Sequence, residues 1–311
     1  MTGMTSLNYN SNNDVERRMM PINTLDYKQG KIDLHTHSNA SDGTLSPGEL
    51  IKYAYTHGLS GISLTDHDSV SGLDEALEAS GKLKNFYFIP GVELSAEYRG
   101  IEIHLIGYAI DWKNNDFLNK LNVIHNARFE RLNKMIEKLL KLGIELHQNH
   151  LYKLQTLPNP GRLHVAKVLK DMKVVGSTDD AFRLYLNKNA PAYSPRYKLT
   201  PGEAIELIIN AGGLPVLAHP GLMNRDDIIS VLLQYPLAGI EVYYPSHSNS
   251  EIQRYLSLAN KNDLLVTGGS DFHAPPDDDI RDNRIGECSM TKESVAKLIE
   301  YSNERLERRL I

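Results

Sequence analysis

The chain has 311 residues and a formal net charge of −5, from 34 Lys and Arg against 39 Asp and Glu. It therefore lacks the excess positive charge that holds long duplex nucleic acid. Its one cysteine, Cys288, excludes an intramolecular disulfide framework and is compatible with a reducing compartment. No apolar run approaches the roughly 20 residues that cross a bilayer, and the N-terminus shows no signal pattern. We expect a cytoplasmic protein without a membrane partner, and the sequence leaves the oligomeric state open.

The N-terminal segment 1–29 is polar, rich in asparagine and without periodicity, which predicts a mobile tail. The first predicted strand, about 31–35, ends in His35-Thr36-His37, and Asp42 follows five residues later. Side chains alternate across a strand with period two, so the two imidazoles point the same way. This arrangement suits metal chelation, although a lone His-x-His pair is more often a surface coincidence.

Five further predicted strands end in the same kind of residue. They cover about 61–65, 86–92, 101–104, 214–218 and 264–267, and the residues at or just past their ends are His67, Glu93, His104, His219, Asp271 and His273. A strand at about 239–244 precedes His247. Because these residues recur at successive strand ends, coincidence is a poor explanation for the opening histidine pair.

The alternation stops between 114 and 197, where helical periodicity replaces it. We predict that 114–197 is a helical insertion that covers the substrate. The two segments around it, 30–113 and 198–311, would form one barrel domain.

Arginines in the insertion are candidate substrate-binding residues. Arg128 and Arg131 share a face of the long predicted helix with His125, because the three recur every third residue. Arg162 follows a Pro-Gly turn, and Arg196 stands at the exit of the insertion. Arginine binds phosphate in bidentate fashion, so all four are candidates for holding a phosphate. A solvated basic helix face is the alternative interpretation.

Strands that alternate with helices predict a parallel sheet, and about seven such units predict a closed α/β barrel. In these barrels the active site lies at the carboxyl ends of the strands. Nine side chains would then meet at one mouth: His35, His37, Asp42, His67, Glu93, His104, His219, Asp271 and His273. One ion takes about four to six ligands, so we expect two or three divalent ions, Mn, Fe or Zn. Phosphoester hydrolysis is the natural use of such a cluster.

Five segments resemble, in order, the motifs of the PHP (polymerase and histidinol phosphatase) superfamily. They are HTHSNASDGTLSP, GISLTDHDSVSG, FIPGVELS, GLPVLAHPG and TGGSDFH. The region from about 31 to 290 is similar to bacterial PHP phosphoesterases that act on 3',5'-nucleoside bisphosphates and short RNA ends. The resemblance implies a distorted (β/α)7 TIM-like barrel with a trinuclear metal site.

The same resemblance assigns ligands to the ions. It implies one ion on His35, His37, Glu93 and Asp271, a second on Glu93, His104 and His219, and a third on Asp42, His67 and His273. Many relatives have histidine where this chain has Asp42, and the aspartate resembles the nucleotide-phosphatase branch. It also makes the third site richer in oxygen, which favours Mn or Fe over Zn.

The implied activity is hydrolysis of a nucleotide phosphomonoester by metal-hydroxide attack, converting a 3',5'-nucleoside bisphosphate to the 5'-monophosphate and phosphate. Short 5'-phosphorylated RNA is a further implied substrate. Asp271 and Glu93 are expected catalytic residues, and His247 is expected to bind phosphate or protonate the leaving oxygen. Two alternatives stay open, a phosphatase of another small phosphate such as histidinol phosphate and a non-catalytic metal- or nucleotide-binding module.

Overall fold

The computed structural model describes four stretches of the chain, 30–157, 160–195, 197–276 and 283–309. The predicted tail at 1–29 and the candidate Arg196 lie outside the described residues.

Eight strands of the described part form one sheet: β1 (Lys31–Thr36), β2 (Gly61–Leu64), β3 (Tyr87–Tyr98), β4 (Ile101–Tyr108), β5 (Leu214–Leu217), β6 (Gly239–Tyr243), β7 (Leu265–Gly268) and β8 (Met290–Thr291). Their order is β7-β6-β5-β4-β3-β2-β1-β8. The chain just past β7 returns to β1 through a parallel bridge between Thr36 and Phe272. The sheet is therefore nearly closed, which confirms the predicted distorted barrel.

Ten helices lie within the described residues: α1 (Pro47–Thr56), α2 (Leu73–Gly81), α3 (Asn115–Lys141), α4 (Gln148–Gln155), α5 (Arg162–Asp171), α6 (Thr178–Ala181), α7 (Pro201–Asn210), α8 (Asp226–Leu232), α9 (Asn249–Lys261) and α10 (Lys292–Arg309). Capping boxes begin α1, α7 and α9, where Ser46, Thr200 and Ser248 each precede a glutamate by three residues. None of the described helices is both long and apolar enough to cross a membrane.

Among the described strands, the predicted parallel sheet has two antiparallel exceptions, namely the short β8, which pairs with β1, and β4. Strand β4 pairs antiparallel with both β3 and β5, whereas β1, β2 and β3 pair in parallel, as do β5, β6 and β7. A two-residue turn joins β3 to β4, and Arg99 and Gly100 in it have φ values of 51° and 85°. Positive φ at both central residues is typical of tight hairpin turns.

The hairpin also changes where two site residues lie. His104 is in the middle of β4, opposite Ser95 of β3, and not past a carboxyl end as predicted. Glu93 likewise lies within β3, which continues to Tyr98. Because β3 extends beyond the end of β2 and β4 returns alongside it, both side chains still reach the mouth of the barrel.

Buried apolar side chains form separate clusters in the barrel and in the insertion. The first turns of α3 pack on the barrel through Phe117, Leu121 and Ile124. Later turns of α3 pack within the insertion, where Leu132 and Met135 join a second set of buried residues. Fully burying one such side chain stabilises a fold by about 1.5–3 kcal/mol. The two clusters therefore hold α3 firmly above the barrel.

Candidate metal centre

Glu93 lies at the centre of the predicted ligand cluster. It is fully buried and forms a parallel bridge with His67 at the end of β2. Its Oε2 lies 2.9 Å from His67 Nδ1, 3.3 Å from His35 Nε2 and 3.3 Å from His37 Nε2. Its Oε1 lies 2.9 Å from His104 Nδ1 and 3.0 Å from His219 Nε2. One carboxylate thus faces five imidazoles.

Asp271 completes a first group of four side chains with His35, His37 and Glu93. All four are buried, and their nearest ligand atoms lie within 4.8 Å of one another. Asp271 Oδ1 is 3.0 Å from His37 Nε2 and 3.4 Å from His35 Nε2. The Tyr244 hydroxyl donates to Asp271 Oδ2 at 3.0 Å, which turns Oδ1 towards the imidazoles.

Asp42 organises a second group on the outer side of the cluster. Its Oδ1 lies 3.2 Å from His273 Nε2 and 3.9 Å from His37 Nδ1, and its Oδ2 lies 4.0 Å from His67 Nε2. The Asp42 side chain is 41 % exposed, whereas that of Glu93 is 0 % exposed. Asp42 therefore lies on a solvent-exposed side of the cluster.

A third group contains His67, Glu93 and His104. His219 adjoins it, because its Nε2 lies 3.3 Å from His104 Nδ1. The structure thus brings all nine predicted ligand residues into one cluster, made of three overlapping groups of eight residues and the adjoining His219.

Several buried atoms of this cluster point into shared space without a hydrogen-bond partner among the described residues. They are His35 Nε2, His37 Nδ1, His37 Nε2, Glu93 Oε2 and His273 Nε2. Each unsatisfied buried polar atom costs about 1–3 kcal/mol. Imidazole and carboxylate together, without thiolate, form a donor set that suits Mn, Fe or Zn. The residues therefore fit divalent metal ions.

Opposite charges inside the cluster shift its pKa values. Burial opposes protonation of His37, but Asp271 and Glu93 outweigh it and raise the His37 pKa to about 9. Burial likewise opposes protonation of His104, yet Glu93 and Glu102 raise its pKa to about 10. Burial disfavours ionisation of Glu93, but the imidazoles around it hold its pKa well below the ordinary value.

We expect divalent metal to compete with protons for this cluster. Without metal, His37 and His104 are protonated at neutral pH, because their pKa values are raised to about 9 and about 10. Only neutral imidazole binds metal, so loading at neutral pH should release protons. Metal affinity should rise as the pH approaches these pKa values and level off above them. Calorimetric Mn²⁺ titrations in two buffers of different ionisation enthalpy measure the release, and identical heats would contradict it.

Two buried carboxylates that sequence reasoning missed support the cluster from below. Glu241 of β6 accepts from the backbone N–H of His219 at 2.8 Å, and its Oε1 lies 3.0 Å from His35 Nδ1. Asp33 of β1 accepts from the N–H and hydroxyl of Ser270 at 2.9 and 2.6 Å. For Glu241, the available signal was a single acidic residue in an otherwise uncharged strand, whereas Asp33 stands two residues before the ligand candidate His35.

Residues 33–209 match the family model of the PHP domain. The chain belongs to the PHP family. A 3',5'-nucleoside bisphosphate phosphatase of Chromobacterium violaceum is 34% identical over 252 residues, which cover 78% of this chain and 87% of that protein. A 5'-3' exoribonuclease of Haemophilus influenzae is 32% identical, over 79% of this chain and 90% of that protein.

A solved structure shares the same fold. It is that of a Bifidobacterium adolescentis protein described as a metal-dependent phosphoesterase, with a TM-score of 0.73 and 29% identity over 86% of this chain and 95% of that chain. Together with the family match, it identifies the chain as a metal-dependent PHP phosphoesterase, a hydrolase of phosphate esters.

His247 of this PHP domain has contacts that do not support the expected proton donor. Its ring is buried, Nδ1 lies 2.9 Å from the Val242 carbonyl, and Nε2 accepts from the Gly221 N–H at 3.2 Å. Both ring nitrogens therefore already have backbone partners. In this position His247 ties the turn after β5 to the end of β6, and contact with a substrate would require the ring to leave both hydrogen bonds.

The insertion arginines lie in different environments. Arg128 donates to the buried carboxylate of Asp68, which directly follows His67, so this arginine reaches the edge of the PHP metal cluster. Arg131 donates through Nε to the Ser194 carbonyl at 2.8 Å. Arg162 stacks over the Phe182 ring, 5.6 Å from its centroid. Among these three, Arg128 has the contact nearest the cluster.

Proposed function

We propose that this PHP phosphoesterase removes the 3'-phosphate of a nucleoside 3',5'-bisphosphate, leaving nucleoside 5'-monophosphate and phosphate. The observation that carries the proposal is the convergence of three histidine and carboxylate groups around Glu93, beside an insertion whose Arg128 reaches the same edge. The relative named for this activity is 34% identical and supports the choice of substrate.

The residues that would hold two or three divalent ions are the nine of the cluster: His35, His37, Asp42, His67, Glu93, His104, His219, Asp271 and His273. When bound, such ions lower the pKa of water and neutralise the charge on phosphoryl oxygens. We propose Mn or Fe before Zn, because Asp42 makes the outer group richer in oxygen.

The chain's own residues orient and shield this site. Glu93 belongs to two of the three groups, so its carboxylate can bridge them. Glu241 and the Tyr244 hydroxyl orient His35 and Asp271. The phosphate to be cleaved would approach from the exposed side, at Asp42. Glu93 and Asp271 would contribute by holding the ions in fixed positions, because their own negative charges repel phosphate.

A second phosphate gives the insertion a role in binding. With one phosphate at the metal cluster, the other would meet Arg128 or Arg131 on α3, with Arg162 and Arg196 as further candidates. A guanidinium binds phosphate through paired hydrogen bonds and a full charge. This division would favour a substrate with two phosphates over one with a single phosphate.

Replacing Arg131 with alanine is expected to raise the Michaelis constant for adenosine 3',5'-bisphosphate about tenfold, with a small effect on kcat. The reason is that a binding contact would be lost while the metal cluster stays intact. Steady-state phosphate release measures both constants. The matched control is Arg183→Ala, because Arg183 lies in the same insertion and pairs with the partly exposed Asp180. Equal Michaelis constants in Arg131→Ala and wild type would remove Arg131 from the substrate site.

Short RNA with a 5'-phosphate is the second candidate substrate, supported by the 32% identical relative named 5'-3' exoribonuclease. A panel of adenosine 3',5'-bisphosphate, a 5'-phosphorylated RNA trimer and histidinol phosphate, each with added Mn²⁺, separates the possibilities. Release of phosphate from the bisphosphate at the highest kcat/KM supports the proposal. Faster release of mononucleotides from RNA would replace it with the second candidate, and activity on none of the three would overturn both.

A further inference from the structure

A cleft of about 350 Å³ opens beside the metal cluster, between the first turns of α3 and the loop that joins β2 to α2. We call it the Trp112 cleft, and its lining is Ala40, Asp68, Ser69, Val70, Ser71, Asp74, Trp112, Lys113, Leu118, Leu121, Asn122 and His125. Its volume falls within the range of small-molecule sites. Asp68, which follows His67 in the chain, belongs to the lining, so the cleft begins at the edge of the metal cluster.

The lining combines apolar side chains, uncharged polar side chains and charged side chains that already have partners. Val70 and Leu121 are buried, and Leu118 is half-buried, so they present an apolar surface. Asn122 and His125 are exposed on α3, the helix that also carries Leu118 and Leu121. This combination suits a flat ring with polar edges, because the ring face packs on carbon while amide and imidazole groups meet its edges.

The charges of the cleft are already paired, which disfavours an anionic occupant. Asp68 accepts from Arg128, and Asp74 accepts from Lys113. The Trp112 indole also donates to Asp74, at 3.0 Å. Every carboxylate of the lining therefore has a cationic partner, and Lys113, the one lysine in the lining, is held by Asp74. A neutral ligand group loses less solvation in such a cleft than a phosphate would.

One face of α3 carries the cleft and the arginines in sequence. Leu118, Leu121 and His125 line the cleft, and Arg128 and Arg131 continue the face at helical spacing. Three residues advance an α-helix by about 4.5 Å, so His125 and Arg128 are about one turn apart. Along this face of α3 the cleft residues come first and the arginines follow, which matches the order of nucleoside and phosphate in a nucleotide.

We propose that the Trp112 cleft binds the nucleoside part of the substrate, with the base against Val70, Leu121 and the His125 ring. The inference rests on the proposed nucleotide substrate and adds the place where its base is bound. Asn122 and the hydroxyls of Ser69 and Ser71 then meet the polar edges of the base and the ribose. Without such a cleft the arginines would select any diphosphorylated sugar, so the base contact sets specificity for nucleotides.

Trp112 is the chain's one tryptophan and provides a direct binding signal. Adenosine 5'-monophosphate should change its fluorescence in a saturable manner, with excitation at the red edge where adenine does not absorb. Ribose 5-phosphate and inorganic phosphate should cause no such change at the same concentrations. An equal response to ribose 5-phosphate would overturn the proposal, because it would place sugar phosphate, not base, in the cleft.

Two substitutions test the cleft against a matched control. His125→Ala and Asn122→Ala should each weaken adenosine 5'-monophosphate binding about tenfold, since stacking and edge contacts to a base are worth that order of affinity. The control is Asn126→Ala, which removes an exposed asparagine one turn further along α3 that is outside the cleft lining. Unchanged binding in both cleft variants would overturn the proposal.

Kinetics separate failure of this inference from failure of the proposed function. In the cleft variants, the Michaelis constant for adenosine 3',5'-bisphosphate should rise about tenfold, while the Asn126→Ala control should match wild type. If wild type hydrolyses the bisphosphate and the variants match it, the cleft inference fails alone. If wild type hydrolyses none of the nucleotides, the proposed function fails, and the fluorescence titration still decides whether the cleft binds a nucleoside.

Discussion

Replacing Asp271 with asparagine is expected to reduce phosphate release by about a thousandfold while the barrel stays folded. Asp271 Oδ1 faces His35 and His37 at 3.4 and 3.0 Å, so its negative charge balances two imidazoles and would complete a metal group. Asparagine has the same shape but no charge. It also tolerates the left-handed backbone at this position, where φ is 53°. The substitution should therefore reduce metal binding and turnover much more than it reduces the stability of the fold.

Three measurements check this expectation together: phosphate release with Mn²⁺, metal content by mass spectrometry, and thermal unfolding. A useful comparison is Tyr244→Phe, which removes the hydroxyl that donates to Asp271 Oδ2 and keeps the ligand atom. The rate of phosphate release by Tyr244→Phe should fall by about tenfold to a hundredfold, as is typical when the hydrogen-bond partner of a metal ligand is removed. Normal turnover in Asp271→Asn with full metal content would show that the proposed site is not catalytic.

Glu241→Gln is expected to lower activity and metal affinity by about 10–100-fold although Glu241 is not among the predicted ligands. Its two carboxylate oxygens meet His35 Nδ1 and the backbone N–H of His219. With Glu241 accepting from Nδ1–H, His35 presents Nε2 to Glu93 and Asp271. Glutamine has one acceptor oxygen, so its amide would face a second donor. The buried mismatch should also lower the thermal midpoint, because an unsatisfied group costs about 1–3 kcal/mol.

The control for this variant is Glu206→Gln, which makes the same chemical change at an exposed position of α7. It should match wild type in metal titration, turnover and unfolding. Wild-type metal affinity in Glu241→Gln would contradict a positioning role for Glu241. A lower thermal midpoint with unchanged metal affinity and turnover would limit its role to stability.

The sequence allowed the metal cluster to be predicted because its signal is local. His35 and His37 alternate on one strand, and most of the further residues stand at or just past a strand end, so residue type and spacing placed them at one mouth. His104 and Glu93 lie within β4 and β3 and reach the same mouth through the hairpin. The direction of β4 carries no such signal, because apolar alternation is the same in parallel and antiparallel strands. Arg99-Gly100 was the available indication of a hairpin, and it is too short a motif to decide strand direction alone.

Contacts made across the fold explain what the sequence could not predict. Glu241 is 206 residues from His35 in the chain, and no spacing rule links them. His247 follows a strand end like the metal-cluster residues, yet its ring turns towards Val242 and Gly221. Strand position fixes the side of the sheet on which a residue lies, but the local loop fixes the direction of its ring. Helical periodicity predicted that Arg128 and Arg131 share a face of α3, but it did not predict the hydrogen bond from Arg128 to the buried Asp68.

Residues of the metal cluster lie on both sides of the seam where the barrel closes between β1 and the chain past β7. At this seam the bridge of Thr36 with Phe272 and the hydrogen bonds of Ser270 to Asp33 join β1 to the chain just past β7. His35 and His37 lie on one side of the seam, and Asp271 and His273 lie on the other. A cation shared between them would link distant parts of the chain, and because it binds only the folded arrangement, its binding free energy would stabilise the seam. Chelation would then lower the stability of this part of the barrel as well as stop the reaction.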